Sequence, residues 1–217
     1  MIRAIIKFFL KLFFSIYFRI EKHGEENLPE GAYILAPKHL SNWDPPVIVA
    51  KMKRNDIYIL AKQELFVNKF VKFLAKETKV LPVKRGAHDT TVIKQSIKIL
   101  RDKNILLVFP EGTRNGIEKN GKIHSGAVVI SNMAKIPIVP VGIQATYKPF
   151  SKVIINFGKP IKPKENKLEK EEIENVAKDL MENMIKLTNE KIWDIIYNYL
   201  KVDTLYVSLK VFKIIGK

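Results

Sequence analysis

The chain has 217 residues, 47% of them hydrophobic, enough for one main domain around a single sizeable core. Lys and Arg number 38 against 22 Asp and Glu, a formal net charge of +16, so the partners to weigh are polyanions: nucleic acid, an anionic membrane surface or phosphorylated substrates. There is no cysteine, which excludes disulfides, thiolate metal sites and cysteine nucleophiles, and His23, His39, His88 and His124 lack zinc-ligand spacing, so no metal is expected.

Residues 1–20 read MIRAIIKFFLKLFFSIYFRI. Arg3, Lys7, Lys11 and Arg19 fall four or eight apart, a drifting basic stripe on an otherwise aliphatic and aromatic helix. The longest uncharged run, Leu12 to Phe18, is far short of the ~20 residues that cross a bilayer. An unbroken apolar centre and a small-residue cleavage site, the marks of a signal peptide, are both missing. Aromatics beside cations suit a headgroup boundary, so residues 1–22 are expected to form an amphipathic helix on an anionic membrane surface; packing on the domain is the other option.

Gly24 to Gly31 is turn chemistry, and Ala32 to Ala36 a short apolar strand. It leads into His39-Leu40-Ser41-Asn42-Trp43-Asp44, with Pro45 and Pro46 immediately behind. A histidine and a carboxylate five apart do not share a face of a straight helix. They meet if the segment turns sharply, and the proline pair favours a turn or helix start there. A carboxylate on one imidazole nitrogen fixes the tautomer and frees the other as a general base. The plainer reading has Asp44 capping a helix and His39 as a loop or core histidine. By itself the segment leaves both open.

Further strands are expected at 56–61, 79–83, 105–109, 136–142 and 152–157, with helices from Val47, from about residue 65 to Lys76, at 89–102 and at 125–135. Ile105 to Phe109 is apolar throughout, as in a strand buried on both faces. Strands alternating with helices indicate an α/β domain with a mostly parallel central sheet, here bounded at 23–165. In the remaining segment, 166–217, Ile173, Val176, Ala177, Leu180, Met184 and Leu187 mark an amphipathic helix, and residues 192–215 could cover the core or touch lipid.

Loops at strand ends carry function in open α/β sheets. After the most apolar strand comes Phe109-Pro110-Glu111-Gly112-Thr113-Arg114, in which Gly112 permits close backbone approach, Thr113 offers a hydroxyl and Arg114 a fork matched to phosphate. Lys84-Arg85 and Lys62 end two other strands. Cations at successive strand ends would make an anion pocket; each taken singly reads as a solvated surface charge.

The four blocks His39-x-x-x-x-Asp44, Val83-Lys84-Arg85, Phe109 to Arg114 and Ile136 to Gly142 together resemble the glycerolipid acyltransferases, more narrowly the bacterial 1-acyl-glycerol-3-phosphate acyltransferases. The resemblance covers roughly residues 25–160. It implies acyl transfer from acyl-CoA or acyl carrier protein to the hydroxyl of a lysophospholipid at the cytoplasmic face of the cell membrane, without a cofactor. His39 would be the base and Asp44 its support. Ser41, Lys62, Arg85, Glu111, Gly112, Thr113 and Arg114 would line the substrate, the cations taking its phosphate, and the Ile136 to Gly142 strand would lie on the acyl-chain side. Three departures, Lys84 where an acidic residue is usual, Asn115 where serine is common and the lack of the usual glycine from Lys76 to Lys79, leave the acceptor headgroup open. Glycerol-3-phosphate or another lysolipid is the nearer alternative. A nucleic-acid-binding module would carry recognisable motifs that are missing here. A non-catalytic membrane-surface protein accounts for residues 1–20 but not for the ordered blocks.

Overall fold

A computed structural model describes residues 2–66, 69, 72, 78–83, 90–117 and 123–188. The N-terminal segment is helical from Ile2 to Tyr17 (α1), ending five residues before the expected residue 22. The basic tail expected to continue it, Arg19–His23, is instead an edge strand, β1. Its residues alternate between exposed and half-buried, which fits a pleated ribbon with one solvated face.

The remaining elements follow in chain order: β2 (Tyr33–Pro37), α2 (Asp44–Lys51), β3 (Ile57–Lys62) and β4 (Val80–Val83). After these come α3 (Thr90–Arg101), β5 (Ile105–Leu107), α4 (Gly126–Ala134), β6 (Ile138–Ala145), β7 (Lys152–Phe157) and α5 (Lys170–Leu187). The helix expected up to Lys76 and the segment 192–215 lie outside the described residues.

Among the described residues the strands form one sheet in the order β1-β7-β6-β2-β5-β3-β4. The β6-β2-β5-β3-β4 body is parallel, as the alternation of strands and helices predicts. β7 runs antiparallel to β6, and β1 lies parallel to β7 with Arg19 opposite Lys152. The last two strands of the sheet therefore run against the other five.

Side-chain alternation along the central strands splits the core in two. Tyr33 and Leu35 of β2, with Ile105 and Leu107 of β5, face α1 and α2, where Phe14, Phe18, Val47 and Ile48 are buried against them. Ile34, Ala36 and Leu106 face the other way, onto Leu100, Val128, Ile130, Leu180 and Met184 of α3, α4 and α5. A strand covered on both faces has no solvent side, so its sequence is apolar without interruption. β5 shows this most plainly.

The C-terminal end of α5 is tied to the sheet where Asn156 Nδ2 donates to the Leu187 carbonyl at 2.7 Å. Its start is closed by a capping box between Glu169 and Glu172. Because β2, β3, β5 and β6 run in the same direction, the loops that leave their C-terminal ends gather at one crest. That crest carries His39, Lys62, the 109–117 loop and the turn after Ala145.

Candidate active site

Pro45 and Pro46 occupy the first turn of α2, where their missing N–H groups cost nothing, so the helix begins abruptly at Asp44. The chain leaving β2 must turn back on itself to enter that helix. The turn brings His39 Nδ1 to 2.8 Å from Asp44 Oδ2. The same oxygen accepts the backbone N–H groups of Leu40 and Ser41, each at 2.7 Å. Asp44 is fully buried, and a buried carboxylate is stable only when its lone pairs are met in this way. A carboxylate has no proton to give, so Nδ1 carries the hydrogen and Nε2 is left as the basic nitrogen. The reading of Asp44 as a plain helix cap does not describe this geometry: it receives the turn that precedes it.

Two further contacts fix the histidine. Its ring lies 4.2 Å from the ring of Phe109, centroid to centroid, tilted by 36°. Its backbone is held on both sides by the loop after β5: the His39 N–H donates to Glu111 Oε1 at 2.7 Å, and the Asn115 N–H donates to the His39 carbonyl at 2.7 Å.

Glu111, expected among the groups that line the substrate, lies buried in the loop after β5. It is 2% exposed, and its second oxygen accepts the Ile117 N–H at 3.0 Å. Each carboxylate oxygen takes a main-chain donor, so Glu111 braces the loop after β5.

The loop's odd residues have local reasons. Gly112 has φ +65°, the left-handed region, and a Cβ there would lie 2.7 Å from the His124 ring. Asn115, the residue that departs from the expected serine, has φ +50°. Asparagine tolerates that conformation far better than most side chains. The next residue, Gly116, has no room for a side chain: a Cβ would come within 2.7 Å of the Glu111 carbonyl oxygen.

Of the other residues read from sequence, Gly112, Thr113 and Arg114 follow β5 at the crest, with Arg114 exposed to solvent and the other two half-buried. Lys62 ends β3 at the same edge, also half-buried. The Ser41 amide serves Asp44, and its hydroxyl accepts the Trp43 N–H at 3.3 Å. Arg85, with Lys84 and His88, lies outside the described residues. His124 is exposed but packs its ring over Gly112.

Tyr147 is a member of this site that the sequence reading missed. It lies in the turn between β6 and β7, outside all four blocks, and its phenol donates to Asp44 Oδ1. The hint available in the sequence is slight: an aromatic hydroxyl two residues past the end of an apolar strand. Burial first, and then the neighbouring Asp44 charge, push the Tyr147 phenol well above its usual pKa, so it keeps its proton.

The assembly is a histidine with one free basic nitrogen, oriented by a buried carboxylate and standing at a crest that also bears cations. It can take a proton from a hydroxyl and hold it during attack on an activated acyl group. Comparison with known proteins agrees. A family model described as Acyltransferase matches residues 19–144. A Bacillus subtilis protein named 1-acyl-sn-glycerol-3-phosphate acyltransferase is 33% identical over 137 residues, 62% of this chain and 67% of that one. The Streptococcus pneumoniae protein of the same name is 30% identical over 188 residues, 82% of this chain and 70% of its own length. The crystal structure of the 1-acyl-sn-glycerophosphate acyltransferase from Thermotoga maritima superposes with a TM-score of 0.64 at 22% identity, covering 87% of this chain and 82% of that one, which establishes the shared fold. The matched span encloses the His39–Asp44 turn and the loop that clamps it, and the chain belongs to the acyltransferase family.

Proposed function

We propose that this acyltransferase moves a fatty acyl group from acyl-CoA or acyl carrier protein to the sn-2 hydroxyl of lysophosphatidic acid, giving phosphatidic acid. The observation that carries this reading is the 2.8 Å contact between His39 Nδ1 and the buried Asp44, which leaves Nε2 as the free base. His39 Nε2 takes the acceptor's hydroxyl proton as the oxygen attacks the thioester carbonyl. The C–O bond forms, the C–S bond breaks, and the proton held on the ring passes to the departing thiolate. Asp44 remains ionised throughout and stabilises the imidazolium. A thioester is already activated, so no acyl-enzyme is required. A placed base accounts for about 10²–10⁴-fold, and juxtaposing donor and acceptor supplies much of the rest. Arg114 and Lys62 at the crest, with Arg85, are assigned to the acceptor's phosphate.

The acceptor is a membrane lipid, and α1 is suited to meet it. Ile5, Phe8, Phe9, Leu12, Phe13 and Ile16 are all exposed along the helix, while Phe14 on its other face and Phe18 just past its end are buried in the core. Exposed aromatics continue off the helix at Trp43, within the His39 turn, and at Phe150, whose ring lies 6.4 Å from that of Tyr17. Among the described residues no helix is long and apolar enough to cross a membrane. We assign this face to the headgroup boundary of the anionic cytoplasmic leaflet, where lysines such as Lys11 add electrostatic attraction.

The test is an acceptor panel with labelled acyl-CoA and acyl carrier protein: lysophosphatidic acid, glycerol-3-phosphate and zwitterionic lysolipids, for the wild type and His39→Ala. Transfer to lysophosphatidic acid that disappears in His39→Ala while the variant stays folded is expected. Retained turnover in the variant removes His39 from the reaction, and preference for another acceptor replaces the substrate.

A further inference from the structure

We propose that Tyr147 is a positioning residue for acyl transfer: its phenol holds the free oxygen of Asp44 and so sets the basicity and aim of the His39 ring, and Phe18, just past the end of α1, holds Tyr147 in turn. This rests on the proposed role of His39 as the base.

Three independent features of the structure converge on it. The first is the division of labour on Asp44. Oδ2 takes the imidazole and two backbone amides, and Oδ1 takes the Tyr147 hydroxyl. Without that donor, Oδ1 would be a buried carboxylate oxygen lacking its described partner, and the carboxylate could rotate about its Cβ–Cγ bond and carry the ring with it.

The second is backbone conformation. Tyr147 has φ +54°, a region that bulky side chains rarely occupy, and the turn holds a second such residue in Phe150 at +60°. Strain of this kind persists where surrounding contacts over-determine it. Here the contacts are the Phe150 N–H donating to the Tyr17 carbonyl at 2.8 Å and the Arg19 N–H donating to the Ser151 carbonyl at 3.0 Å. Both link the turn to the end of α1 and the strand that follows.

The third is packing. The Tyr147 ring stands edge-on to Phe18 with centroids 5.5 Å apart, and Phe18 is 1% exposed. Phe18 also meets Trp43 at 6.5 Å, and Phe14 meets Trp43 at 5.9 Å. A continuous aromatic path thus runs from α1 through Tyr147 to the carboxylate.

The charged and titratable groups near the pair, among the described residues, are accounted for as follows. Glu111 of the 109–117 loop accepts the His39 backbone N–H. Lys38, next to His39 in the chain, is fully buried. Lys148 follows Tyr147 in the turn, and Phe14 of α1 and Phe18 just past its end meet this corner. The direction of the effect follows from Asp44. A donor on Oδ1 withdraws charge from the carboxylate and weakens its hold on the imidazolium. Loss of that donor strengthens the hold and favours the protonated ring over the free base.

The experiment is Tyr147→Phe, which keeps the ring on Phe18 and removes the hydroxyl. We expect an unchanged melting temperature to within a few degrees, KM for both substrates unchanged, kcat lowered roughly tenfold and the acid limb of the pH profile moved upward by about half a unit. The His39 ring is titrated in parallel by nitrogen NMR without substrate, and its midpoint is expected to rise in the variant. Unaltered kcat, pH limb and ring titration would make Tyr147 a packing residue and overturn the proposal; a raised KM with kcat intact would make it a substrate contact and overturn it equally. A wild type that fails to acylate any acceptor, with the ring titration still shifted in Tyr147→Phe, would sink the proposed function and leave the Tyr147–Asp44–His39 link standing.

Discussion

The carboxylate of Glu111 accepts the backbone N–H of His39 at 2.7 Å, joining two loops that are 72 residues apart in sequence. That bond, with the Asn115 amide on the opposite side of the same residue, makes the loop after β5 the mount for the histidine. The second oxygen of Glu111 anchors the mount to Ile117.

Replacing Glu111 by Gln sets an amide N–H₂ against one of these two main-chain donors. Stability is expected to fall by about 1–3 kcal/mol, the cost of a buried polar group left unsatisfied. Activity is expected to fall as well, through the placement of His39 and without a change in acceptor KM. A denaturant titration and a kcat measurement on the same preparation check both. A rise in KM alone would return Glu111 to the substrate.

Arg114 is exposed at the crest, and its guanidinium is assigned to the acceptor's phosphate. Arg114→Ala is expected to raise KM for lysophosphatidic acid about tenfold or more while leaving KM for the acyl donor unchanged. Arg114→Lys should recover only part, because a point charge replaces a bidentate fork. Stability should not change, since the side chain is solvated. An unchanged acceptor KM would move the phosphate elsewhere on the crest.

The pairing of His39 with Asp44 was legible as one of two readings because its geometry is local: five residues and a proline pair that fixes where the helix starts, with the resemblance deciding between them. The parallel body of the sheet was legible for a related reason, since strands covered on both faces advertise themselves as unbroken apolar runs. What escaped was non-local. Tyr147 reaches Asp44 from 103 residues away, out of a turn whose composition says only that the chain reverses. The burial of Glu111 under backbone amides escaped too, because nothing in its neighbours in sequence shows it. β1 was absorbed into the preceding helix because a charged ribbon at a sheet edge has the same composition as a helix tail.

At the opposite end of the sheet Arg54 ties three segments together. Its Nε donates to Asp56 Oδ1 at 3.0 Å, its Nη2 meets the other Asp56 oxygen and the Lys103 carbonyl, and its Nη1 donates to Glu30 and Gly31 carbonyls. The Arg54 hydrogen bond is the main reason the Asp56 carboxyl is held below its usual range. A depressed carboxylate pKa stabilises the fold above the unfolded value of 3.8 and loses that contribution as pH falls through the lower folded value. Asp56→Asn should therefore cost ~1 kcal/mol at neutral pH, with the gap to the wild type closing on acidification below about pH 4. Melting curves from pH 7 down to pH 3 measure it. A gap that stays constant with pH would mean that charge plays no part.

Phe8 and Phe9 are each 62% exposed on α1. Their joint replacement by Ser should leave the melting temperature nearly unchanged and cut sedimentation with anionic vesicles by about tenfold or more. Added salt should weaken what binding remains, since the lysines act through screened charge. Binding that survives both treatments would leave α1 as a helix that packs on the domain.

The first strand of the sheet finds its hydrogen-bonding neighbour in the seventh, Arg19 lying opposite Lys152. On the ribosome, the aromatic helix in front of that strand emerges long before the strand's neighbour has been translated. During that interval the sheet cannot close over Phe14 and Phe18. Burial of the two rings thus waits until nearly the whole sheet has been translated.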